Sequence, residues 1–396
     1  MNKYQILTLN HISSHGLRRF PPSLYAVGKA AEQPDAILVR SYNMNEMTIP
    51  TSVRAIGRAG AGTNNIPVAA MSRRGVPVFN APGANANAVK ELVVAALLIA
   101  ARNVVPAISY VTSLDAAAPD LHKQVEDGKK RFAGIELPHR MLGIVGLGAI
   151  GGLVADTALK LGMRVIGFDP LITVDAAWRL PSNVRKAASI EELLHQSDFV
   201  TLHVPLVPDT RNLIDDKRVG LMKQGAVLLN FARDALVDEH AIVEALRAQR
   251  LKYYISDFPG AALLHEPGVV ALPHLGASTA EAEENCAVMV IDEVRGFLEH
   301  GAIANSVNFP NVEMPRGSPY RVAIANANVP NMLGQISMTV GNAGLNIQNM
   351  VNKSRGDMAY TLVDVDSAVD DQVIRSIAAI DGVLSVRAIP VPESEG

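Results

Sequence analysis

Cysteine is almost missing from this chain: Cys286 stands alone among 396 residues. No internal disulfide can form and no cysteine cluster can hold zinc, which fits a reducing compartment. An excess of positive charge is missing too, since 36 Lys and Arg face 39 Asp and Glu for a net charge of −3. The phosphate neutralisation on which nucleic-acid affinity rests is not supplied, so no nucleic-acid partner is expected. Long apolar runs are also absent. The longest, Leu92 to Ala101, is flanked by Lys90, Glu91 and Arg102, whereas a bilayer span needs about 20 residues. It reads as a core helix, and no membrane partner is expected. The opening MNKYQILTLNH has no basic stretch leading into an apolar one and does not read as a signal peptide. These absences describe a cytoplasmic protein. What is present, 48% hydrophobic and 19% charged residues, is enough apolar content for packed cores, and at ~150 residues per domain the length predicts two or three of them.

Short β-rich runs (Ile6 to Leu9, Ala36 to Ser41, Val76 to Phe79) alternate with Gly, Asn and Pro punctuation, a βα rhythm implying a small parallel sheet. The Ala-, Leu- and Val-rich stretch from Asn87 to Val104 predicts a long helix. From Met141 a second series begins: MLGIVG, a helix to Leu161, MRVIGFD, a helix near Ile190, DFVTLHV, GAVLLNFA, a helix from Asp238, YYISDF and VVALP. Continuous apolar strands of this kind are buried on both faces, as in a doubly wound sheet. A helix over Thr279 to Glu299 leaves that sheet, and Gly301 to Tyr320, with its prolines and asparagines, has linker composition. The last 76 residues read β, α, β, β, α, β, the ferredoxin-like pattern.

Gly146-Leu-Gly148-Ala149-Ile150-Gly151 lies where a strand feeds a helix, supplying the tight turn, backbone approach and helix packing that a pyrophosphate needs. The next strand ends in Asp169, at the interval of about 20 residues where a carboxylate takes ribose hydroxyls; it would repel a 2′-phosphate, so NAD rather than NADP is expected. Further strand ends carry His203-Val-Pro205, Asn230-Phe231-Ala232-Arg233, Ser256-Asp257 and Pro273-His274-Leu275-Gly276. Ligands of open α/β sheets collect at such ends. A nicotinamide enzyme oxidising an alcohol needs a base near neutrality and a cation for a neighbouring carboxylate, tasks that His and Arg suit. Taken singly, such an Arg is more often a solvated surface group and such a His a hydrogen-bonded loop residue.

The segments IGRAGAGTNNIPVAAMSRRGVPVFNAPGANANAVKELV, GIVGLGAIGGLVADTALKLGMRVIGFDP, HVPLVPDTRNLID, NFARDALVDEHAIVEAL and LPHLGASTAEAEENCA together resemble the D-2-hydroxyacid dehydrogenase family over nearly the whole chain. The tail is similar to an ACT-type regulatory domain. The resemblance implies an α/β architecture of a doubly wound Rossmann domain (91–278), a split flavodoxin-like substrate domain (1–90 with 279–306), a linker (307–320) and a C-terminal ferredoxin-like ACT domain (321–396). It implies His274 as acid/base and Arg233 as carboxylate anchor. Cofactor contacts are implied at Gly146, Gly148, Ala149, Ile150, Gly151, Asp169, His203, Pro205, Phe231, Ala232, Asp257, Leu275, Gly276 and Ala277. Substrate contacts are implied at Arg40, Ser41, Ala61, Gly62 and Asn85, with Arg58 a second phosphate candidate; the alternative for Arg40 and Arg58 is a structural ion pair. No metal is implied. The expected reaction is NAD-dependent oxidation of 3-phospho-D-glycerate, with glycerate, lactate or 2-hydroxyglutarate as alternative substrates and a dinucleotide-sensing binding protein as the rival class. A homodimer or homotetramer is implied.

Two departures from the family pattern stand out. Asp257-Phe258-Pro259-Gly260-Ala261-Ala262 puts Ala262 where the family carries the Glu that orients the catalytic His, and Glu266 is the nearest acid in sequence. In related regulatory domains an amino acid, often L-serine, sits at an H-x-N-x-P-G turn with another Asn ahead of the next strand. Here Asn326, Asn328 and Asn346 take those positions, while Asn331 replaces the Gly, so an amino-acid effector of altered affinity or selectivity is expected.

Overall fold

The computed structural model describes residues 3–389 and 391. The chain forms two compact units, Met1–Asn85 with Ala280–Gly396 and Ala86–Thr279. In the first, β1 (Tyr4–Thr8), β2 (Tyr25–Gly28), β3 (Ala36–Val39), β4 (Ala55–Arg58) and β5 (Val78–Asn80) pair in parallel in the order β2-β1-β3-β4-β5. That is the flavodoxin-like order. All four residues of β3 are buried, as a strand covered on both faces requires. The helix Ala280–His300 closes one face through Val290, Ile291, Val294 and Phe297.

The second unit holds β6 (Met141–Val145), β7 (Arg164–Phe168), β8 (Arg185–Lys186), β9 (Phe199–Leu202), β10 (Ala226–Asn230), β11 (Leu251–Ser256) and β12 (Val269–Ala271), in the order β12-β11-β10-β9-β6-β7-β8. The order reverses between β6 and β9, the topological switch point at which doubly wound sheets bind nucleotides. The long helix expected over 87–104 is present as Ala86–Arg102, one residue longer at its start and two shorter at its end. Ala86–Arg102 ends at Asn103, which adopts a left-handed φ of 52°, and a new helix Val104–Thr112 departs at 66°. Among the described residues no single helix is long and apolar enough to cross a membrane.

The first unit ends in β13 (Tyr320–Ala327), β14 (Ile347–Arg355), β15 (Met358–Val365) and β16 (Val383–Ile389), an antiparallel sheet in the order β14-β15-β13-β16. One face (Val322, Ile324, Val363, Val365) packs on helices Met332–Asn342 and Asp371–Ala378. The opposite face is fused to the parallel-sheet core, since Ala323, Tyr360, Leu362 and Ile389 share one cluster with Phe297 and Phe309. Residues 307–320 therefore do not behave as their linker composition suggests. Phe309 and Val312 are fully buried, Ile303 and Val312 exchange backbone hydrogen bonds at 2.8 Å, and Asn308 accepts from the Val78 N–H. Proline and asparagine report an irregular backbone here, not a solvated one. At its end the buried pair Arg321–Asp364 is bidentate, at 2.6 and 2.9 Å, and Arg321 also donates to the carbonyls of His300 and Pro315.

Candidate active site

The turn after β6 is shaped by its glycines. Gly146 has φ 92°, a conformation costly for other residues. A Cβ at Gly151 would run into the Gly146 carbonyl, so the helix Ala149–Lys160 can only start this close to the turn with glycine there. Nothing lies within 4 Å of a Cβ built at Gly148, and no side chain caps the helix. The fold itself does not demand glycine at 148; open space beside uncapped N–H groups suits a bound pyrophosphate. Ala149 is exposed and Ile150 half-buried beside it. Asp169, just past β7, accepts from the Leu147 N–H at 2.9 Å and the Leu171 N–H at 3.0 Å, which fixes its carboxylate next to that turn. The residues present fit a dinucleotide.

Beyond β9, the His203 ring bonds Thr201 Oγ1 at 2.9 Å through Nε2, while its buried Nδ1 has no partner. Burial pushes its pKa down to about 3, so the ring is neutral. Pro205 is exposed, and its carbonyl accepts from the Thr210 hydroxyl. Past β10, Phe231 is buried in the core and Ala232 half-buried, whereas Arg233 is exposed. The Arg233 guanidinium bonds only the Ala232 carbonyl, at 2.5 Å, and no carboxylate pairs with it among the described residues. Its backbone is held by Asn230, a fully buried side chain that donates to the Arg233 carbonyl at 2.8 Å and accepts from the Ala232 N–H at 3.2 Å.

Asp257, at the end of β11 and 2% exposed, accepts from the Leu275 N–H at 2.9 Å and the Gly276 N–H at 2.7 Å. Its backbone carbonyl receives the His274 N–H at 3.1 Å. One buried carboxylate thus sets the 274–277 turn, in which Gly276 is buried, Ala277 half-buried and His274 left-handed, at φ 55°. The exposed His274 ring leans on Phe258, 4.7 Å between centroids. No carboxylate bonds it within its unit. Glu266 is committed elsewhere, held by Arg247 at 2.9 and 3.1 Å, and Ala262 is exposed. The acid against the 258–262 loop is Glu239, whose carboxylate occupies the space a Gly260 Cβ would need. Neither the positioning work of Asn230 and Asp257 nor the presence of Glu239 follows from residue type; buried Asn and Asp at successive strand ends are the available signal.

In the first unit, Arg40 and Arg58 follow or end the neighbouring strands β3 and β4, and Arg58 Nε donates to the Arg40 carbonyl at 3.1 Å. Arg40 pairs with Glu283 at 2.8 Å. Asn10 gathers the loop, its Oδ1 accepting from the N–H groups of Arg40, Ser41 and Tyr42. The Ala61 carbonyl accepts from Asn80; Gly62 and Asn85 are half-buried. In the C-terminal sheet Asn326 is buried and spent internally, donating to the Ala327 carbonyl. Asn328 bonds Gly356, ahead of β15, and Asn346 bonds Asp366, beyond it, so the two lie at opposite ends of an eight-residue strand, roughly 26 Å apart. Asn331 takes the left-handed φ of 64° that the replaced glycine would favour.

Comparison with known proteins adds lineage to this geometry. The family model for the NAD-binding domain of D-isomer specific 2-hydroxyacid dehydrogenases matches residues 95–276. The chain is 36% identical over 343 residues to a D-3-phosphoglycerate dehydrogenase of Methanocaldococcus jannaschii, covering 84% of this chain but only 62% of the relative. It is 33% identical to the enzyme of that name from Haemophilus influenzae, covering 85% and 81%. Among solved structures, TT0316 of Thermus thermophilus superposes with TM-score 0.62 at 29% identity, over 76% of this chain and 99% of that one. D-mandelate dehydrogenase of Rhodotorula graminis shares the fold at TM-score 0.67 and 23% identity, over 79% and 99%.

Proposed function

Since the chain belongs to the D-isomer specific 2-hydroxyacid dehydrogenase family, we propose that it oxidises 3-phospho-D-glycerate to 3-phosphohydroxypyruvate with NAD, the first step of phosphorylated serine biosynthesis. The observation that carries the reading is an unpaired Arg233 and an exposed His274 following strands of one nucleotide-binding sheet, each held by a buried polar side chain. Arg233 takes the substrate carboxylate in a charge-assisted pair, which orients C2. His274 accepts the C2 hydroxyl proton on a ring nitrogen. NAD, when bound, supplies the acceptor for the C2 hydride. Arg40 and Arg58, with the Ser41, Ala61, Gly62 and Asn85 surroundings, take the phosphate end; the Arg40–Glu283 pair must open or share its cation for this to happen.

Assaying 3-phospho-D-glycerate, D-glycerate, D-lactate and D-2-hydroxyglutarate with NAD tests the substrate. A higher kcat/KM for an unphosphorylated acid overturns it, and NADH binding without turnover on any of them would make the protein a dinucleotide sensor. His274→Ala should lose about 10²- to 10⁴-fold in turnover while retaining NADH binding.

An amino-acid effector, L-serine first, and a homo-oligomer complete the proposal. Asn328 and Asn346 are too far apart to hold one small molecule within a chain, so a site built from both needs a second copy. The exposed apolar residues Leu98, Ile108 and Val111 on helices Ala86–Arg102 and Val104–Thr112 support self-association. A cytoplasmic setting fits the single buried Cys286.

A further inference from the structure

A cavity of about 600 Å³ lies in the first unit where the amino-terminal ends of β3 and β4 meet β16 and the helix Asp371–Ala378. It is at the opposite end of the parallel sheet from Arg40 and Arg58: Arg54 immediately precedes β4, and Arg58 ends it. The volume falls within the range of about 300–1,000 Å³ typical of small-molecule sites. Its charged lining is unbalanced. Three arginines, Arg54, Arg74 and Arg387, face it, with Asp35 and Asp371 as the acids.

Asp35 is already used, one oxygen 3.5 Å from Arg54 and the other accepting from the Gln5 N–H at 2.8 Å. Asp371 is exposed, where water screens it. Among the described residues Arg74 is held by carbonyls alone, those of Ile49 and Pro50 at 3.1 and 2.6 Å. Arg387 donates to the Phe297 carbonyl at 3.0 Å and stacks on the Phe297 ring at 4.1 Å, and among the described residues no carboxylate pairs with it. Burial lowers the affinity of its guanidinium for a proton; the neighbouring Tyr360 hydroxyl, which also hydrogen-bonds it, offsets part of this, and the nearby charge of Arg54 adds to it. A half-buried cation without a counterion, beside a second cation and open volume, is a costly arrangement unless an anion is bound for part of the time.

We propose that this cavity binds a small metabolite carrying a phosphate or carboxylate group, which bridges Arg54 and Arg387 and ties the C-terminal antiparallel sheet to the parallel sheet of the same unit. Guanidinium forks suit both anions. The C-terminal sheet thereby takes part in a ligand site distinct from the Asn328 and Asn346 positions.

The test uses the full chain and thermal unfolding in sodium phosphate and, separately, sodium citrate, each against sodium chloride of equal ionic strength. A ligand of the folded state raises the midpoint in a saturable way. Arg54→Gln, whose half-exposed side chain tolerates change, and Arg387→Lys should each weaken the apparent affinity roughly tenfold or more, as expected for loss of a charge-assisted bond. Arg40→Gln should leave that response in place. A response confined to phosphate or to citrate identifies the anionic group. An unchanged response in Arg54→Gln, a response abolished by Arg40→Gln, or no response to either anion overturns the proposal. The substrate reading above could fail without affecting any of these outcomes.

Discussion

Asp257→Asn separates two effects that share one side chain. The carboxylate is 2% exposed and accepts two backbone N–H bonds, at 2.9 and 2.7 Å. Bonds to a charged acceptor contribute about 1.5–3 kcal/mol each. Asn keeps one acceptor oxygen and turns an NH₂ group toward the other N–H, so one bond is lost. Offsetting this, a relaxed turn frees His274 from its left-handed φ of 55°, which costs about 1–2 kcal/mol. The difference between the mid-range values leaves a net destabilisation of about 1 kcal/mol, and in a unit of this size each kcal/mol shifts the melting midpoint by about 2–4 °C. For activity the two effects act together, because both move the His274 ring from its place. Turnover should fall by at least 10-fold, approaching the 10²- to 10⁴-fold typical of a lost base. Calorimetry and kcat at saturating NAD read the two quantities. An unchanged kcat alongside a lowered midpoint would show that Asp257 only stabilises, and no change in either would refute the claim that its carboxylate sets the turn.

Glu293 is 7% exposed, with Oε1 accepting from Asn305 at 2.7 Å and Oε2 unpartnered, and burial pushes its pKa up from 4.5 to about 8. The folded protein therefore keeps a proton that the unfolded chain releases, so stability declines as pH rises from 4.5 toward 8 and levels off above. Glu293→Gln should match the parent near pH 4 and be more stable at pH 7 by about 3 kcal/mol; parallel melting curves across that range would remove Glu293 as the cause. The Asp169 carboxylate beside the glycine turn should give NAD a higher kcat/KM than NADP, and Asp169→Ala should narrow the ratio; equal values in the parent would count against it. Arg321→Met strands Asp364 in the core and should cost about 3–5 kcal/mol, measured by thermal or urea unfolding.

The parts of this molecule that were legible in the chain are those written over short distances. Strand followed by Gly146-x-Gly148-x-x-Gly151 followed by helix, Asp169 at the next strand end, and the β, α, β, β, α, β order of the tail are local patterns of hydrophobic period and turn chemistry. Local steric and burial rules suffice to produce them, and the element order then allows few sheet topologies. The residues at strand ends could be named for the same reason, because strand ends are visible wherever the apolar run stops.

Partnerships were decided only by the tertiary structure. Arg40 finds Glu283 and Asp364 clamps Arg321 across long stretches of chain; Glu266, the nearest acid in sequence to the Ala262 gap, goes to Arg247. Asp257 spends both oxygens on the backbone of the turn that carries His274. Residues 307–320 look solvated by composition, yet Phe309 and Val312 lie fully buried because the antiparallel sheet packs onto the same core. The physical reason is common to all of these. Hydrogen bonds and ion pairs act over a few ångströms with strict geometry, and which groups come that close is set by how helices and sheets pack, a property of the folded whole that no local stretch encodes.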